Sequence, residues 1–198
     1  MREFILRARR ASTHAAFSLN DLLHAGNMNV VASAISNAIW VSGGIRKDVV
    51  FHAVLEGPPS GPKAVSFSSN EIKGLGYDER SIASYIQIAM QKSPFLELNE
   101  ETKVRRGIMV AKKSFERLVW ERSRNSQVLV LDTSGADIRG TELKKNALFV
   151  FGDNIGLPEK TEKFFRNIPH IRLSLGPAML FASHCPVLVH NEMDRRGV

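Results

Sequence analysis

Three apolar segments in the last third of the chain each run into a glycine-bearing corner. "VLVLDTSG" reaches Gly135, "FVFGDNIG" passes Gly152 and Gly156, and "RLSLGP" stops at Gly176 before Pro177. Glycine at a strand end admits positive φ and lets a ligand approach the main chain closely. In open α/β sheets, ligands settle in the crevice outside the carboxyl ends of parallel strands. One such corner is an ordinary turn, but three in succession point to a small-molecule pocket built mainly from backbone groups. Other chemistries lack their signatures. No G-x-G-x-x-G opens a helix and no P-loop supplies a phosphate-binding lysine. "SGGIRKDVV" has two glycines but feeds a strand. The six histidines are scattered, and His184 beside Cys185 does not make a four-ligand metal site, so no metal is expected. A G-x-S-x-G nucleophile elbow is absent.

The elements around these corners follow from hydrophobic spacing. "REFILRA", "DVVFHAVLEG", "KAVSFSS", "QVLVLD", "ALFVFG" and "HIRLSL" read as strands, with "GPPSGP" turning one hairpin. "NMNVVASAISNAIW", "YDERSIASYIQIAMQK" (Asp78 as N-cap), "SFERLVWERSRN" and "EKTEKFFRN" read as helices. A final helix is expected from Pro177 to about Arg196, kinked at Pro186. "TSGADIRGT", "DNIGLP" and "GP" read as loops. Apolar strands alternating with helices predict an α/β fold, a mainly parallel sheet flanked by helices.

At 198 residues the chain suits a single domain, residues 1–198, able to bury a core without disulfides. The lone Cys185 excludes an intramolecular disulfide and suggests a reducing compartment. "MREFILRARR" has too short an apolar core for a signal peptide, and no apolar run approaches the roughly 18 residues of a membrane span. A cytoplasmic protein with no membrane partner is expected. The formal net charge is +7, and it is unevenly distributed. Between Thr102 and Arg124 stand Lys103, Arg105, Arg106, Lys112, Lys113, Arg117, Arg122 and Arg124, against only Glu116 and Glu121. That segregation points to a polyanion partner, because phosphate contacts supply most sequence-independent affinity.

"VFGDNIGLPEK", "IRLSLGP" and "ASHCPVLVHNEMD", in that order, resemble the cofactor region of the SPOUT (α/β-knot) methyltransferases. With "MREFILRA", "IRKDVVFHAVLEGPP" and "DERSIASYI", the whole chain resembles the archaeal tRNA pseudouridine-54 N1-methyltransferases. "KVRRGIMVAKKSFERLV" departs from the family in its spacing, and Pro186 after Cys185 is a second departure.

The resemblance implies a C-terminal trefoil knot, a homodimer, S-adenosylmethionine as cofactor and tRNA as partner. It places cofactor contacts at Leu131, Gly152, Ile155, Leu173, Ser174, Leu175, Gly176 and Cys185. Methyl transfer to N1 of pseudouridine requires loss of the ring N–H proton. Asp48 is the candidate general base, and Arg46, two residues earlier, stabilises charge or holds a phosphate if both lie on the strand. The alternative for Asp48 is a strand-start residue paired with Arg46 or Lys47. Cys185 is expected to pack and line the cofactor site, because deprotonated N1 is itself nucleophilic. RNA contacts are expected from Arg105, Arg106, Lys112 and Lys113, helped by Arg7, Arg9 and Arg10. Two alternatives remain: a SPOUT enzyme acting on ribosomal RNA pseudouridine, and a non-catalytic RNA-binding protein of the same fold.

Overall fold

Alternation in "REFILRA" sends Phe4, Leu6 and Ala8 to one side of a strand and Glu3, Ile5 and Arg7 to the other. The structure, a computed structural model describing residues 1–198, covers both sides. The chain runs β1 (Arg2–Ala8), α1 (Met28–Ile39), β2 (Trp40–Val41), β3 (Gly44–Ile45), β4 (Val49–Leu55), β5 (Lys63–Ser68) and α2 (Glu79–Lys92). It continues β6 (Glu101–Arg105), β7 (Ile108–Ala111), α3 (Phe115–Ser123), β8 (Gln127–Asp137), β9 (Ala147–Gly152), α4 (Glu159–Phe165), β10 (Ile171–Ser174) and α5 (Cys185–Arg196). Eight strands form one sheet in the order β10-β8-β9-β1-β4-β5-β7-β6, and β2 and β3 make a separate two-residue ribbon. The first five strands in that order are parallel; β5, β7 and β6 are antiparallel additions.

Two cores result. On the face of Phe4 and Leu6, the buried residues of α1, α2 and α5 pack over the sheet; on the face of Ile5, those of α3 and α4 do. The register aligns Phe149, Phe4, Phe51 and Phe67 across four adjacent strands, and Phe4 stacks on Phe149 at 5.4 Å and on Phe51 at 6.1 Å between centroids. Aromatic rungs of this kind fix register, since a one-residue slip moves every side chain to the other face.

Helix starts follow the sequence. The Asp78 carboxylate accepts the Ser81 N–H at 2.8 Å and the Ser114 hydroxyl accepts the Arg117 N–H at 3.1 Å, satisfying donors that the helix leaves free.

Three expectations need correction. Strand β8 does not end at Asp132 but continues through Ser134 and Gly135 to Asp137, because β10 lies beside it and takes its hydrogen bonds. The final helix begins at Cys185 rather than Pro177, and Pro186 falls in its first turn, where the missing N–H costs nothing and no kink is required. The first half of the basic segment, where apolar spacing predicts no strand, forms the β6–β7 hairpin at the sheet edge.

The two chain ends are tied together under α5. His190 is buried, its Nε2 lies 2.9 Å from the Ala38 carbonyl and its Nδ1 3.0 Å from Arg2 Nη1. Those partners assign a neutral ring with the proton on Nε2. Arg2 also donates to Asp194 and to the Val198 carbonyl. Burial, then the charges of Arg46 and Arg2, pushes the His190 imidazole down to about 4 from 6.5. On acidification the unfolded chain takes up this proton first. Stability is therefore complete above about pH 6.5 and falls as pH drops towards 4, by up to about 3 kcal/mol. Denaturant titrations between pH 7 and 5 should record that decline. His190→Gln keeps one donor and one acceptor and should flatten it; an undiminished slope in that variant would contradict the assignment.

Candidate functional site

The ends of β8, β9 and β10 enclose a pocket of about 240 Å³. Its first wall is an interruption in the β8–β10 ladder. Arg172 pairs with Val130, yet the next residue, Leu173, pairs with Ala136, so Leu131–Gly135 bulge out with no partner. The bulge turns Leu131, Asp132 and Thr133 towards the pocket. It closes through Gly135, where a β-carbon would stand 2.5 Å from the carbonyl carbon of Arg172.

The second wall is the loop after β9. Asp153 holds it, accepting the Ile155 N–H at 3.0 Å and the Arg9 N–H at 2.8 Å. A β-carbon on Gly152 would lie 2.6 Å from Gly156, so the loop curls directly over that glycine. The third wall is the corner after β10. There the Ser174 hydroxyl bonds both the N–H and the carbonyl of Gly176, which has φ +140° and open space where a side chain would begin. The strand ends at Ser174, and residues 178–182 cross the pocket before α5.

Of the residues expected to hold a cofactor, Leu131, Gly152, Leu173, Leu175, Gly176 and Cys185 line this one pocket. Ile155 and Ser174 do not. Ile155 is turned out beside the loop it helps to close, and the Ser174 hydroxyl is used in shaping the corner. Burial pushes the Cys185 thiol up to about 11, so it is uncharged near neutrality, and its Sγ faces the Phe181 carbonyl at 3.6 Å. A buried neutral thiol is a poor nucleophile.

Four charged lining residues were missed: Asp132, Asp153, Glu162 and Arg172. Arg172 bridges Asp132 at 2.5 Å and also pairs with Glu162, joining β8, β10 and α4. The Ser134 N–H, then the Ser134 hydroxyl and Arg172, hold the Asp132 carboxyl below the usual carboxylate range. Charged letters inside apolar strands, Asp132 after "VLVL" and Arg172 in "HIRLSL", were the available signal. Three carboxylates against one guanidinium, around leucines and Phe151, suit a ligand with an apolar body and positive charge.

The expected catalytic pair lies elsewhere. Arg46 and Asp48 precede β4 instead of standing on it, at the amino end of the parallel strands. Seven strand residues at about 3.3 Å each separate them from the pocket by roughly 20 Å within one chain. Asp48 has φ 59° and exchanges hydrogen bonds with the Asn70 side chain; Arg46 pairs with Asp194 at 2.9 Å. Asp48 does not pair with Arg46 or Lys47.

The expected RNA contacts also divide. Arg105 and Arg106 are exposed at the β6–β7 tip, at that same amino end. Lys113 is nearly buried between Glu101 and Glu121, both at 3.0 Å, and Lys112 is drawn to the Leu96 carbonyl at 3.1 Å. Arg7 is tied to Glu56, Glu116 and Thr161 and lies over the Phe115 ring. Lys113 and Arg7 thus carry ion pairs that help to build the fold, while Lys112 makes none. No group of three or more His, Cys, Asp or Glu is arranged to hold a metal ion, and no helix is long and apolar enough to cross a membrane.

Known proteins resemble this chain over its length. Residues 1–198 match a family model described as "Putative SAM-dependent RNA methyltransferase". A protein of Photobacterium profundum, named "Putative pseudouridine methyltransferase", is 37% identical over 98% of this chain and 98% of its own. The tRNA (pseudouridine(54)-N(1))-methyltransferase of Methanococcus aeolicus is 36% identical over 98% of each chain. Its counterpart in Methanocaldococcus jannaschii is 36% identical over 100% of this chain and 98% of its own. Among solved structures, Archaeoglobus fulgidus Nep1 bound to S-adenosylhomocysteine superposes with a TM-score of 0.62, covering 100% of this chain and 98% of that one. At 11% identity that likeness speaks for the fold, which is the SPOUT methyltransferase fold. With the family model spanning every residue and full-length relatives above one-third identity, the chain belongs to the S-adenosylmethionine-dependent RNA methyltransferase family.

Proposed function

We propose that the protein methylates N1 of pseudouridine 54 in the TΨC loop of tRNA, with S-adenosylmethionine as donor. The observation that carries this reading is the pocket between the β8 bulge and the corners after β9 and β10, in a chain related over its full length to enzymes named for that reaction. The residues present fit the donor. Leu131, Leu173, Leu175 and Cys185 offer an apolar slot for adenine, and the glycines expose main-chain N–H and carbonyl groups. The surplus of carboxylates suits a sulfonium and an ammonium. When bound, the donor supplies an electrophilic methyl group. The chain's part is to hold the reactants in line and accept the N1 proton, and positioning alone supplies much of such a rate. We include the trefoil knot here. Its support is the full-length match to the family whose resemblance implies it.

A homodimer belongs to the same proposal. Met179, Phe181, Val187 and Leu188 are exposed apolar residues on the segment that closes the pocket and on α5, a surface suited to a second copy. Arg46 and Asp48 take part in catalysis only from the partner chain, since their own pocket is at the far end of the sheet.

The Photobacterium relative is named for pseudouridine without a nucleotide or an RNA, which keeps a ribosomal RNA substrate as the second reading. Digests of tRNA and ribosomal RNA treated with labelled donor should show N1-methylpseudouridine in tRNA at position 54. Label found only in ribosomal RNA would favour the alternative, and label in neither would reject both.

Two further outcomes are expected. Donor at one hundred times its dissociation constant should stabilise the fold by about 2.7 kcal/mol. Gly176→Val, which cannot adopt φ +140° without strain, should abolish calorimetric binding; unchanged affinity would remove the corner from the site. Gly176→Val and Asp48→Asn homodimers should each be inactive, while mixed dimers carrying one of each should recover one working site. No recovery on mixing would exclude a site shared between chains.

A further inference from the structure

The amino end of the sheet carries a second cavity, of about 920 Å³, where α3 ends and β8, β9 and β10 begin. Of its thirteen lining residues only Val128 and Ile171 are hydrophobic. Arg124, Lys144, Lys145 and His170 face Glu142 as the only carboxylate. Arg124 is set in place by the Trp120 ring, 3.9 Å beneath its guanidinium carbon. Lys144 and Lys145 are exposed and make no side-chain ion pair. Small-molecule sites are mostly apolar and enclose their ligands; a polar, cationic hollow suits a phosphate chain that stays hydrated.

The cavity is one end of a band. Strand direction places Arg105 and Arg106 at the opposite edge of the same sheet end, with exposed Lys47 between. Eight strands about 4.8 Å apart make that band roughly 34 Å wide, comparable to one turn of an RNA duplex. We infer that the cavity lined by Arg124, Lys144, Lys145 and His170 is an RNA-backbone site that grips phosphates remote from the base being modified. It rests on the proposed RNA substrate and extends it: the enzyme holds the body of a folded RNA as well as the target loop.

The test compares full-length tRNA transcript with a short hairpin carrying only the target loop. Lys144→Ala/Lys145→Ala leaves Arg124 on Trp120 and removes no buried group. It should raise KM for full-length tRNA by about tenfold, and reduce the slope of log binding constant against log salt by about two, one for each lysine. The hairpin should change less than twofold, and Lys144→Glu/Lys145→Glu should widen the gap. Equal losses on both RNAs, or an unaltered salt slope for tRNA, would overturn the inference. If wild-type protein methylates neither RNA, that failure belongs to the proposed reaction, and the salt titration of tRNA binding still decides the cavity.

Discussion

At Gly135 the main chain of β8 comes so near β10 that a β-carbon would stand 2.5 Å from the carbonyl carbon of Arg172 and 2.6 Å from the Leu173 nitrogen. No side chain fits between them. The approach is what lets β10 resume pairing at Ala136 after five residues have bulged outward. Three of those five, Leu131, Asp132 and Thr133, line one wall of the pocket, and Arg172, on the far side of the same contact, ties Asp132 to Glu162 of α4. The site is therefore not a cleft between rigid bodies but a by-product of two strands forced together. Its shape depends on the register of a single ladder.

The strands and helices were legible because their spacing was regular and their caps local. Asp78 and Ser114 announce helix starts by their own hydrogen bonds, and the phenylalanine-bearing strands alternate plainly. What escaped was set by partners distant in sequence. Nothing in "DTSGAD" reveals that β10 will draw it into a strand, and nothing in "GPAML" shows that a helix will wait until Cys185. The three glycine corners did announce the pocket, since φ and close approach are demands a sequence must meet locally. The expected catalytic pair was harder to place. Residue types gave Arg46 and Asp48 a plausible chemistry, but only topology tells that the start of β4 lies at the opposite end of the parallel strands from the pocket.

Charge counting had a similar limit. Eight cations in the segment from Thr102 to Arg124 looked like one surface. In the fold, Lys113 joins Glu101 and Glu121, Lys112 bends to a carbonyl, and Arg122 approaches buried Glu3 at 3.4 Å. Glu3 in turn meets His52 at 2.8 Å, in the interior beneath α3. Part of the basic character is thus structural, spent on carboxylates inside or near the core, where an unpaired partner would be costly. Cations without ion pairs line the hollow at the amino end of the strands, while carboxylates surround the pocket at the other.

The central place of β1 has a consequence for how the molecule is made. This strand, first in the chain, lies between β4 and β9, so one of its edges has no neighbour until Ala147–Gly152 has emerged from the ribosome. Until then the nascent chain holds an open, strongly apolar edge, and such edges invite pairing with the wrong chain. Contacts so far apart in sequence also form slowly. The segment from β8 onward thus closes both the sheet and the pocket, whose lining it supplies entirely.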